Sequence, residues 1–320
     1  MYRLLINSQI PVSLKEEFAK EFELIIPPGD ADFTDDEMQE LVKSADAMLC
    51  LKLRKVHNTW IDAGTRLRVI GNVAVGTDNI NVAYAASKGI AVVNTPISVQ
   101  EPTAELAISI MLAITRGIAR YHTELKKTLR CGMPFFYDRD MSVYGKTLGI
   151  IGCGRIGKAV ARKAQGLGMR VVYYKTNRLT QEEEAALNLT YLPFEELLKT
   201  SDVVSLHLPF TPASHHLIND RTLALMMPGA YLINAARGPI VDEAALIRAL
   251  NNKTIRGAAL DVYEFEPVVS EEFTQMDNVV IVPHIGTTVL EARCDMAREA
   301  LSGIREVLNG NTPSNIVKLS

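Results

Sequence analysis

The sequence has few cysteines, and they are scattered. The four are Cys50, Cys131, Cys153 and Cys294 among 320 residues, and no two form a C-x-x-C pair. This pattern argues against a disulfide-stapled secreted fold and offers no spacing typical of a zinc site. Two adjacent histidines, His215 and His216, are predicted to lie in a polar turn and not to share a metal ion. We therefore expect no bound metal.

Long apolar runs and a charge imbalance are also lacking. No apolar stretch reaches the roughly 18 residues that a membrane span needs, and the apolar run at residues 4–6 is too short for a signal peptide. The 34 basic and 37 acidic residues give a formal net charge of −3. That balance gives no reason to expect nucleic acid or a membrane as partner, so we expect a cytoplasmic protein.

The chain is long enough for two domains of about 150 residues each. In the first hundred residues, short apolar runs predict strands at 2–7, 24–26, 47–51, 69–72 and 91–93, with helices at 13–22, 35–43, 58–64 and 81–88. Such alternation predicts a parallel sheet covered on both faces. Prolines at both ends of residues 96–102 predict a linker there.

A second series of strand–helix units follows a long apolar helix predicted from Thr103 to about Gly117. Its strands are predicted at 147–151, 170–174, 203–207, 230–234, 257–262 and 279–283, and a final amphipathic helix at about 290–310 is expected to return to the first domain. The predicted fold class is α/β with two doubly wound parallel-sheet domains. Residues 1–100 plus 289–320 are predicted to form one discontinuous domain, and residues 101–288 a second domain inserted into it.

Gly152, Gly154 and Gly157 form a G-x-G-x-x-G motif between a predicted strand and a predicted helix. In that context the glycines allow a tight turn close to a pyrophosphate, and the helix N-terminus offers unpaired N–H groups to its negative charge. The motif predicts a dinucleotide cofactor, with a glycine-rich packing turn as the alternative.

Three chemically active residue types follow three different predicted strands. Arg237, Glu266 and His284 each come shortly after an apolar strand, at the edge where open parallel sheets bind ligands. A guanidinium can pair with a substrate carboxylate, an imidazolium can protonate a carbonyl oxygen, and a carboxylate can orient that imidazole. Each residue alone is more typical of an ion pair, a solvated loop or a turn, but together they predict an active site.

The motifs at residues 72–80, 145–157, 233–238, 260–267 and 283–286 resemble those of the D-isomer-specific 2-hydroxyacid dehydrogenase family over nearly the whole chain. The resemblance implies a Rossmann nucleotide-binding domain inserted in a flavodoxin-like substrate domain, a homodimer formed through the apolar helix from Thr103, and reduction of a small 2-oxo acid to the D-2-hydroxy acid. It places the catalytic roles on Arg237, Glu266 and His284. Substrate carboxylate contacts fall on Arg237 and on the backbone N–H groups of Val75 and Gly76. Besides the three glycines of the motif, the resemblance places cofactor contacts on Thr103, Arg155, Ile156, Leu208, Pro209, Ser214, Ala235, Ala236, Arg237, Asp261, His284 and Gly286.

The residues after the second strand of the nucleotide domain indicate which nicotinamide cofactor is used. An acidic residue that binds the ribose 2′-hydroxyl is expected about twenty residues beyond the first glycine. Here the sequence has Lys175, Thr176, Asn177 and Arg178 instead. Because the two cations attract a 2′-phosphate and the two neutral side chains can donate to it, we predict a preference for NADP(H), with NAD(H) possible. The alternative is a solvated basic loop tip.

The substrate is less well determined than the cofactor. Glyoxylate, hydroxypyruvate and sugar-derived 2-keto acids all fit the predicted chemistry. Lys52 follows the strand at 47–51 and is a candidate contact for a second polar end of the substrate, with a solvated lysine as the alternative. An NAD-dependent or phosphite-type dehydrogenase and a non-enzymatic nicotinamide-sensing scaffold remain rival functions.

Overall fold

The computed structural model describes residues 1–51, 54–132 and 140–318, which divide into two compact units. One unit comprises Met1–Val99 with Thr287–Ser320, and the other comprises Gln100–Gly286. No single helix in the described ranges is both long and apolar enough to cross a membrane. The helices 100–115 and 118–128 meet those criteria only when taken together across a 57° bend.

The first unit is built on a five-stranded parallel sheet in the order β2-β1-β3-β4-β5. Its strands are β1 (Tyr2–Ile6), β2 (Phe22–Ile25), β3 (Ala47–Cys50), β4 (Val69–Asn72) and β5 (Ala91–Val93). Its helices in this part of the chain are α1 (Val12–Phe18), α2 (Asp35–Leu41), α3 (Asn58–Ala63) and α4 (Val82–Ser87). Both faces of the sheet are covered, so the central strands β3 and β4 are buried at every residue.

The second unit is built on a seven-stranded parallel sheet in the order β12-β11-β10-β9-β6-β7-β8. Its strands are β6 (Thr147–Ile151), β7 (Arg170–Tyr174), β8 (Thr190–Tyr191), β9 (Val203–Leu206), β10 (Tyr231–Asn234), β11 (Gly257–Leu260) and β12 (Val279–Ile281). Its helices are α5 (Gln100–Thr115), α6 (Ile118–Thr128), α7 (Arg155–Gly166), α8 (Gln181–Leu187), α9 (Phe194–Thr200), α10 (Asp220–Leu223), α11 (Glu243–Asn251) and α12 (Glu271–Thr274). The order reverses between β6 and β9, which is the point where doubly wound sheets bind ligands.

The helix near the end of the chain, α13 (Leu290–Leu308), belongs to the first unit. Its buried face, which includes Ala297, Ala300 and Ile304, packs with apolar residues of β1, β3 and β4. Gly71 in β4 permits this close packing, since a Cβ atom there would lie 2.7 Å from Cδ1 of Ile304. The final helix therefore covers one face of the sheet formed by the first hundred residues.

The predicted fold class is confirmed, and several element boundaries are corrected. The helix predicted at 13–22 ends at Phe18, and Phe22 begins β2 instead. Helix α5 begins at Gln100, inside the predicted linker, because proline is tolerated in the first turn of a helix and Pro102 lies there. The two-residue strand β8 was not predicted, since so short a pairing leaves no periodicity in the sequence.

Candidate active site

The three motif glycines have different surroundings, and each agrees with a phosphate-binding turn. Gly152 has φ +95°, and a Cβ atom there would lie 2.6 Å from the carbonyl group of His207 after β9. Gly157 packs the helix against the strand, since its Cβ would lie 2.5 Å from the Gly152 oxygen. Gly154 instead faces open space, with no heavy atom within 4 Å of its Cβ position. The first and third glycines are thus required by packing, and the second leaves room for a ligand to approach the backbone.

The N-terminus of α7 completes this turn. The N–H groups of Arg155, Ile156 and Gly157 donate to no acceptor in the described parts of the chain, and no side chain caps the helix. Unpaired N–H groups and the positive end of the helix dipole favour an anion at this position. The turn therefore fits the pyrophosphate of a dinucleotide.

The loop after β7 contains the four residues predicted to select the cofactor. Lys175 is half-buried and has no ion-pair partner among the described residues, whereas Thr176 and Asn177 are exposed. Arg178 is paired at two points, with its Nε and Nη2 each 2.8 Å from a different oxygen of Glu184. Its guanidinium also lies 4.9 Å from the ring centre of Tyr191. Arg178 is therefore less available than the sequence suggested.

The carboxylate of Glu184 is fully occupied by this loop. Hydrogen bonds from Arg178 and from the Tyr173 hydroxyl lower the pKa of Glu184 to about 2. The Tyr173 hydroxyl lies 2.5 Å from Oε1 of Glu184 and also accepts the N–H of Leu179 at 3.0 Å. Sequence reasoning missed this residue because it lies on the following helix, α8. Glu184 therefore neutralises the charge of Arg178. Of the two cations predicted to select the cofactor, Lys175 is the one without an ion-pair partner among the described residues.

The loop after β9 holds three further predicted cofactor contacts. Leu208 adjoins the glycine turn, since a Cβ atom on Gly152 would lie 2.7 Å from its backbone nitrogen. The hydroxyl of Ser214 accepts the N–H of Thr211 at 2.8 Å and donates to the carbonyl of Pro209 at 3.0 Å. Ser214 thus orders its own loop, and cofactor contacts by Leu208, Pro209 and Ser214 remain predictions.

Glu266 and His284 form a hydrogen-bonded pair at the ends of β11 and β12. Oε2 of Glu266 lies 2.9 Å from Nδ1 of His284, and Oε1 accepts the N–H of Tyr263 at 3.0 Å. Both side chains remain about one-third exposed. Since Nδ1 faces the carboxylate, Nε2 is the ring nitrogen left to meet a ligand.

The electrostatics of this pair favour a protonated imidazole. The hydrogen bond with Glu266 raises the pKa of His284 above its ordinary value, although burial and the charge of Arg237 oppose the shift and Asp261 adds to it. Burial alone would raise the pKa of Glu266, but the hydrogen bonds from His284 and from the Tyr263 N–H outweigh it, and Arg237 contributes. The net pKa of Glu266 is lowered, so the arrangement stabilises the protonated form of His284.

Arg237 lies in a tight turn that packs directly against the Glu266 loop. The Asn234 side chain accepts the N–H of Ala236 at 3.1 Å and donates to the carbonyl of Arg237 at 3.0 Å. The next residue must be glycine, because a Cβ atom on Gly238 would lie 1.7 Å from the carbonyl oxygen of Tyr263. Ala235 and Ala236 are buried within this turn. Asn234 was missed from the sequence, although an asparagine that ends a strand is a known turn former.

Asp261 holds the loop that carries His284. It is 1% exposed, and its two oxygens accept the N–H groups of Ile285 at 2.6 Å and Gly286 at 3.0 Å. His284 itself has φ +51°, a left-handed conformation that costs a non-glycine residue about 1 kcal/mol or more. Thr103 of α5 lies beside the same loop, 3.6 Å from the Cβ position of Gly286. The structure thus places three predicted contacts together and assigns Asp261 a role in holding the backbone.

In the first unit, two predicted substrate contacts lie in the loop after β4. The N–H groups of Val75 and Gly76 donate to no acceptor in the described ranges, while their carbonyl groups accept from Asn94 and Asn72. Val75 is 39% exposed. The loop is thus held through its carbonyl groups, and the two N–H groups remain available to donate to a ligand. Lys52, the other predicted substrate contact, lies outside the described residues.

His215 and His216 lie side by side in the loop that precedes α10. Their rings stack with centroids 3.9 Å apart, and each ring offers a nitrogen within 4.8 Å of the other and of a Glu264 oxygen. Both residues lie in a turn, as predicted, and His216 has a left-handed φ of +49°. Glu264 is already engaged, with Nε2 of His216 at 2.6 Å and the backbone N–H of Glu243 at 2.9 Å.

Comparison with known proteins decides the family. Residues 108–286 match the model described as "D-isomer specific 2-hydroxyacid dehydrogenase, NAD binding domain". This chain belongs to the D-isomer-specific 2-hydroxyacid dehydrogenase family. It is 39% identical over 321 residues to a glyoxylate reductase of Thermococcus gammatolerans, covering 98% of this chain and 95% of that protein.

Solved structures of two reductases match this chain over nearly its full length. A glyoxylate reductase from Paecilomyes thermophila superposes with a TM-score of 0.87 at 30% identity, covering 99% of this chain and 98% of that one. An NADPH-dependent glyoxylate/hydroxypyruvate reductase from Sinorhizobium meliloti, in complex with citrate, gives a TM-score of 0.83 at 27% identity and the same coverage. The protein is therefore a nicotinamide-dependent oxidoreductase of the 2-hydroxyacid dehydrogenase type that acts on 2-oxo acids.

The open position at Gly154 leads to a prediction for this dehydrogenase. Gly154→Ala is expected to leave the melting temperature unchanged, because its backbone has an ordinary negative φ of −84° and its Cβ meets nothing. Its methyl group would project where a pyrophosphate must approach, so cofactor affinity should fall about tenfold or more. Fluorescence titration with NADPH measures the affinity. Unchanged affinity in the folded variant would show that the phosphates bind elsewhere.

Proposed function

We propose that this dehydrogenase uses NADPH to reduce glyoxylate, hydroxypyruvate or a related sugar-derived 2-keto acid to the D-2-hydroxy acid. The observation that carries the cofactor choice is Lys175, which directly follows β7 with no ion-pair partner among the described residues. The names of the glyoxylate reductases that this chain resembles support the substrate class, and the NADPH-dependent relative from Sinorhizobium meliloti supports the cofactor.

Charge at the end of β7 is the physical basis of the cofactor preference. A carboxylate at that position would accept a ribose 2′-hydroxyl and repel a 2′-phosphate. Glu184 in α8 has both oxygens committed to Arg178 and Tyr173. Lys175 is then the main source of positive charge for a 2′-phosphate, with Thr176 and Asn177 as neutral donors and Arg178 as a partly neutralised neighbour.

The proposed reaction assigns one task to each polar residue. Arg237 pairs with the substrate carboxylate, and the N–H groups of Val75 and Gly76 donate to the same carboxylate. The hydride for the carbonyl carbon would come from NADPH held by the glycine turn and the loop after β7. His284 gives the proton on Nε2 to the carbonyl oxygen, and Glu266 keeps the ring oriented and charged.

The raised pKa of His284 predicts the pH dependence of reduction. His284 must be protonated to act, so kcat/KM for 2-oxo acid reduction should be constant at low pH and fall as pH rises through a pKa above the ordinary 6.5. Glu266→Gln removes the main cause of that shift, so the fall should begin at lower pH. The profiles are measured with saturating cofactor and limiting glyoxylate. An alkaline limb at the same pH in both proteins would contradict the assignment.

A substrate panel tests the proposed reaction itself. Loss of reduced-nicotinamide absorbance is followed with glyoxylate, hydroxypyruvate and sugar-derived 2-keto acids, and the product configuration is determined by chiral chromatography. Turnover of at least one of these acids to the D product is expected. Formation of the L product, or no turnover on any of them, would contradict the proposal.

A further inference from the structure

Two glutamates outside the predicted active site bind each other's backbone. Glu243 is the first residue of α11 and is 5% exposed, and its Oε2 accepts the N–H of Glu264 at 3.0 Å. In return, Oε2 of Glu264 accepts the N–H of Glu243 at 2.9 Å. This reciprocal pair joins the start of α11 to the loop after β11, which are 21 residues apart in the chain.

The remaining oxygens of both carboxylates also have partners. Oε1 of Glu243 accepts a hydrogen bond from the hydroxyl of Ser270, and Oε1 of Glu264 faces Nε2 of His216 at 2.6 Å. Burying carboxylates is costly unless they are hydrogen-bonded, and here every oxygen has a donor. The N-terminus of α11 adds a favourable dipole for Glu243. Because all four carboxylate oxygens are hydrogen-bonded, the two side chains are held in a single well-defined geometry.

Glu264 lies inside the turn that carries Glu266. The N–H of Tyr263 donates to Oε1 of Glu266, and this bond joins the two ends of the turn at residues 263–266. The other oxygen of Glu266, Oε2, lies against Nδ1 of His284. The hydroxyl of Tyr263 donates to the carbonyl of Val282 at 2.8 Å, which ties the same turn to the residue that follows β12, two positions before His284. Fixing the backbone of Glu264 therefore fixes the distance between Glu266 and His284.

We propose that Glu243 and Glu264 are positioning residues that hold Glu266 against His284 and thereby set the rate of proton donation. They act through the backbone of residues 263–266, without a part in substrate or cofactor binding. This inference rests on the roles proposed above for Glu266 and His284.

The test compares Glu243→Ala with Glu243→Gln. The alanine variant loses the acceptor for the Glu264 N–H, so kcat should fall about 10–100-fold, as expected for a small misplacement of a reacting group, with KM for NADPH unchanged. The alkaline limb of the pH profile should also move to lower pH, because Glu266 no longer supports His284 while Asp261 and Arg237 remain in place. Glutamine keeps a side-chain oxygen for the same N–H and should restore most of kcat and the position of the limb.

Asp242→Ala is the matched control. Asp242 caps the same helix through the N–H of Ala245 at 2.9 Å. Its removal should lower thermal stability without moving the pH profile, which separates loss of fold stability from loss of positioning. If Glu243→Ala does not fold, Glu264→Ala serves in its place, since it removes the return bond to the Glu243 N–H and the bond with His216 that hold the same turn.

Glu266→Gln and His284→Asn are measured beside these variants. The inference is overturned if those two lose activity while Glu243→Ala and Glu264→Ala keep kcat and the alkaline limb of the parent protein. In that case the proposed reaction still stands. If Glu266→Gln and His284→Asn are themselves fully active, the proposed reaction is wrong as well.

Discussion

His284→Asn is expected to lower kcat for 2-oxo acid reduction by about 10²–10⁴-fold, the usual contribution of a positioned general acid. Asparagine keeps a polar group of similar reach but has no proton to give at neutral pH. The environment of His284 makes this loss large, since its ring is held by Glu266 at 2.9 Å and its backbone loop by Asp261. Steady-state kinetics with glyoxylate and saturating NADPH measures the effect.

His122→Asn is a suitable control for this substitution. His122 is an exposed residue of α6, so the same chemical change there should leave kcat within twofold of the parent. NADPH affinity, measured by fluorescence, should stay unchanged in His122→Asn, and the circular-dichroism spectrum of both variants should match that of the parent, which shows that the fold is intact. A fully active His284→Asn protein would remove His284 from the mechanism.

Lys175→Asp is expected to change the cofactor preference of the enzyme. Loss of a charge-assisted hydrogen bond removes about 1.5–3 kcal/mol, and a new carboxylate repels the 2′-phosphate, so kcat/KM for NADPH should fall about 100-fold. The same carboxylate can accept the 2′-hydroxyl of NADH, so kcat/KM for NADH should rise. The ratio of the two kcat/KM values at one substrate concentration gives the result directly.

Lys20→Asp makes the same charge change at a distance. Lys20 is an exposed turn residue after α1 in the first unit, and its reversal should leave the cofactor ratio unaltered. Arg178→Gln should have a smaller effect than Lys175→Asp, because Glu184 already holds that guanidinium at two points. An unchanged ratio in Lys175→Asp would place the 2′-phosphate elsewhere.

The sequence predicted the fold best where burial leaves a strong local pattern. Strands at 69–72, 91–93 and 170–174 were predicted with the boundaries found, because apolar runs between turn residues mark both ends. Helix α1 was predicted too long, because Phe22 lies four residues after Phe18 and continues a helical pattern although it belongs to β2. Local periodicity does not show which neighbour a side chain will pack against.

The active-site residues likewise divide into those that the sequence predicted and those that it did not. Arg237, Glu266 and His284 were predicted from their positions after strands, and the structure places Glu266 in contact with His284. The partners of the site were missed: Asn234 in the arginine turn, Glu184 on Arg178, and the pair of Glu243 with Glu264. These residues act through tertiary hydrogen bonds, which have no spacing rule in the sequence. The homodimer expected from the sequence stays a prediction.

The cofactor preference of the parent enzyme with its best 2-oxo acid tests the proposed role of Lys175 most directly. Initial rates are measured with limiting NADPH and limiting NADH at the same saturating concentration of glyoxylate or hydroxypyruvate. We expect a kcat/KM at least tenfold higher for NADPH, about the effect of one charge-assisted hydrogen bond to the 2′-phosphate. A kcat/KM that is equal for the two cofactors, or higher for NADH, would contradict it.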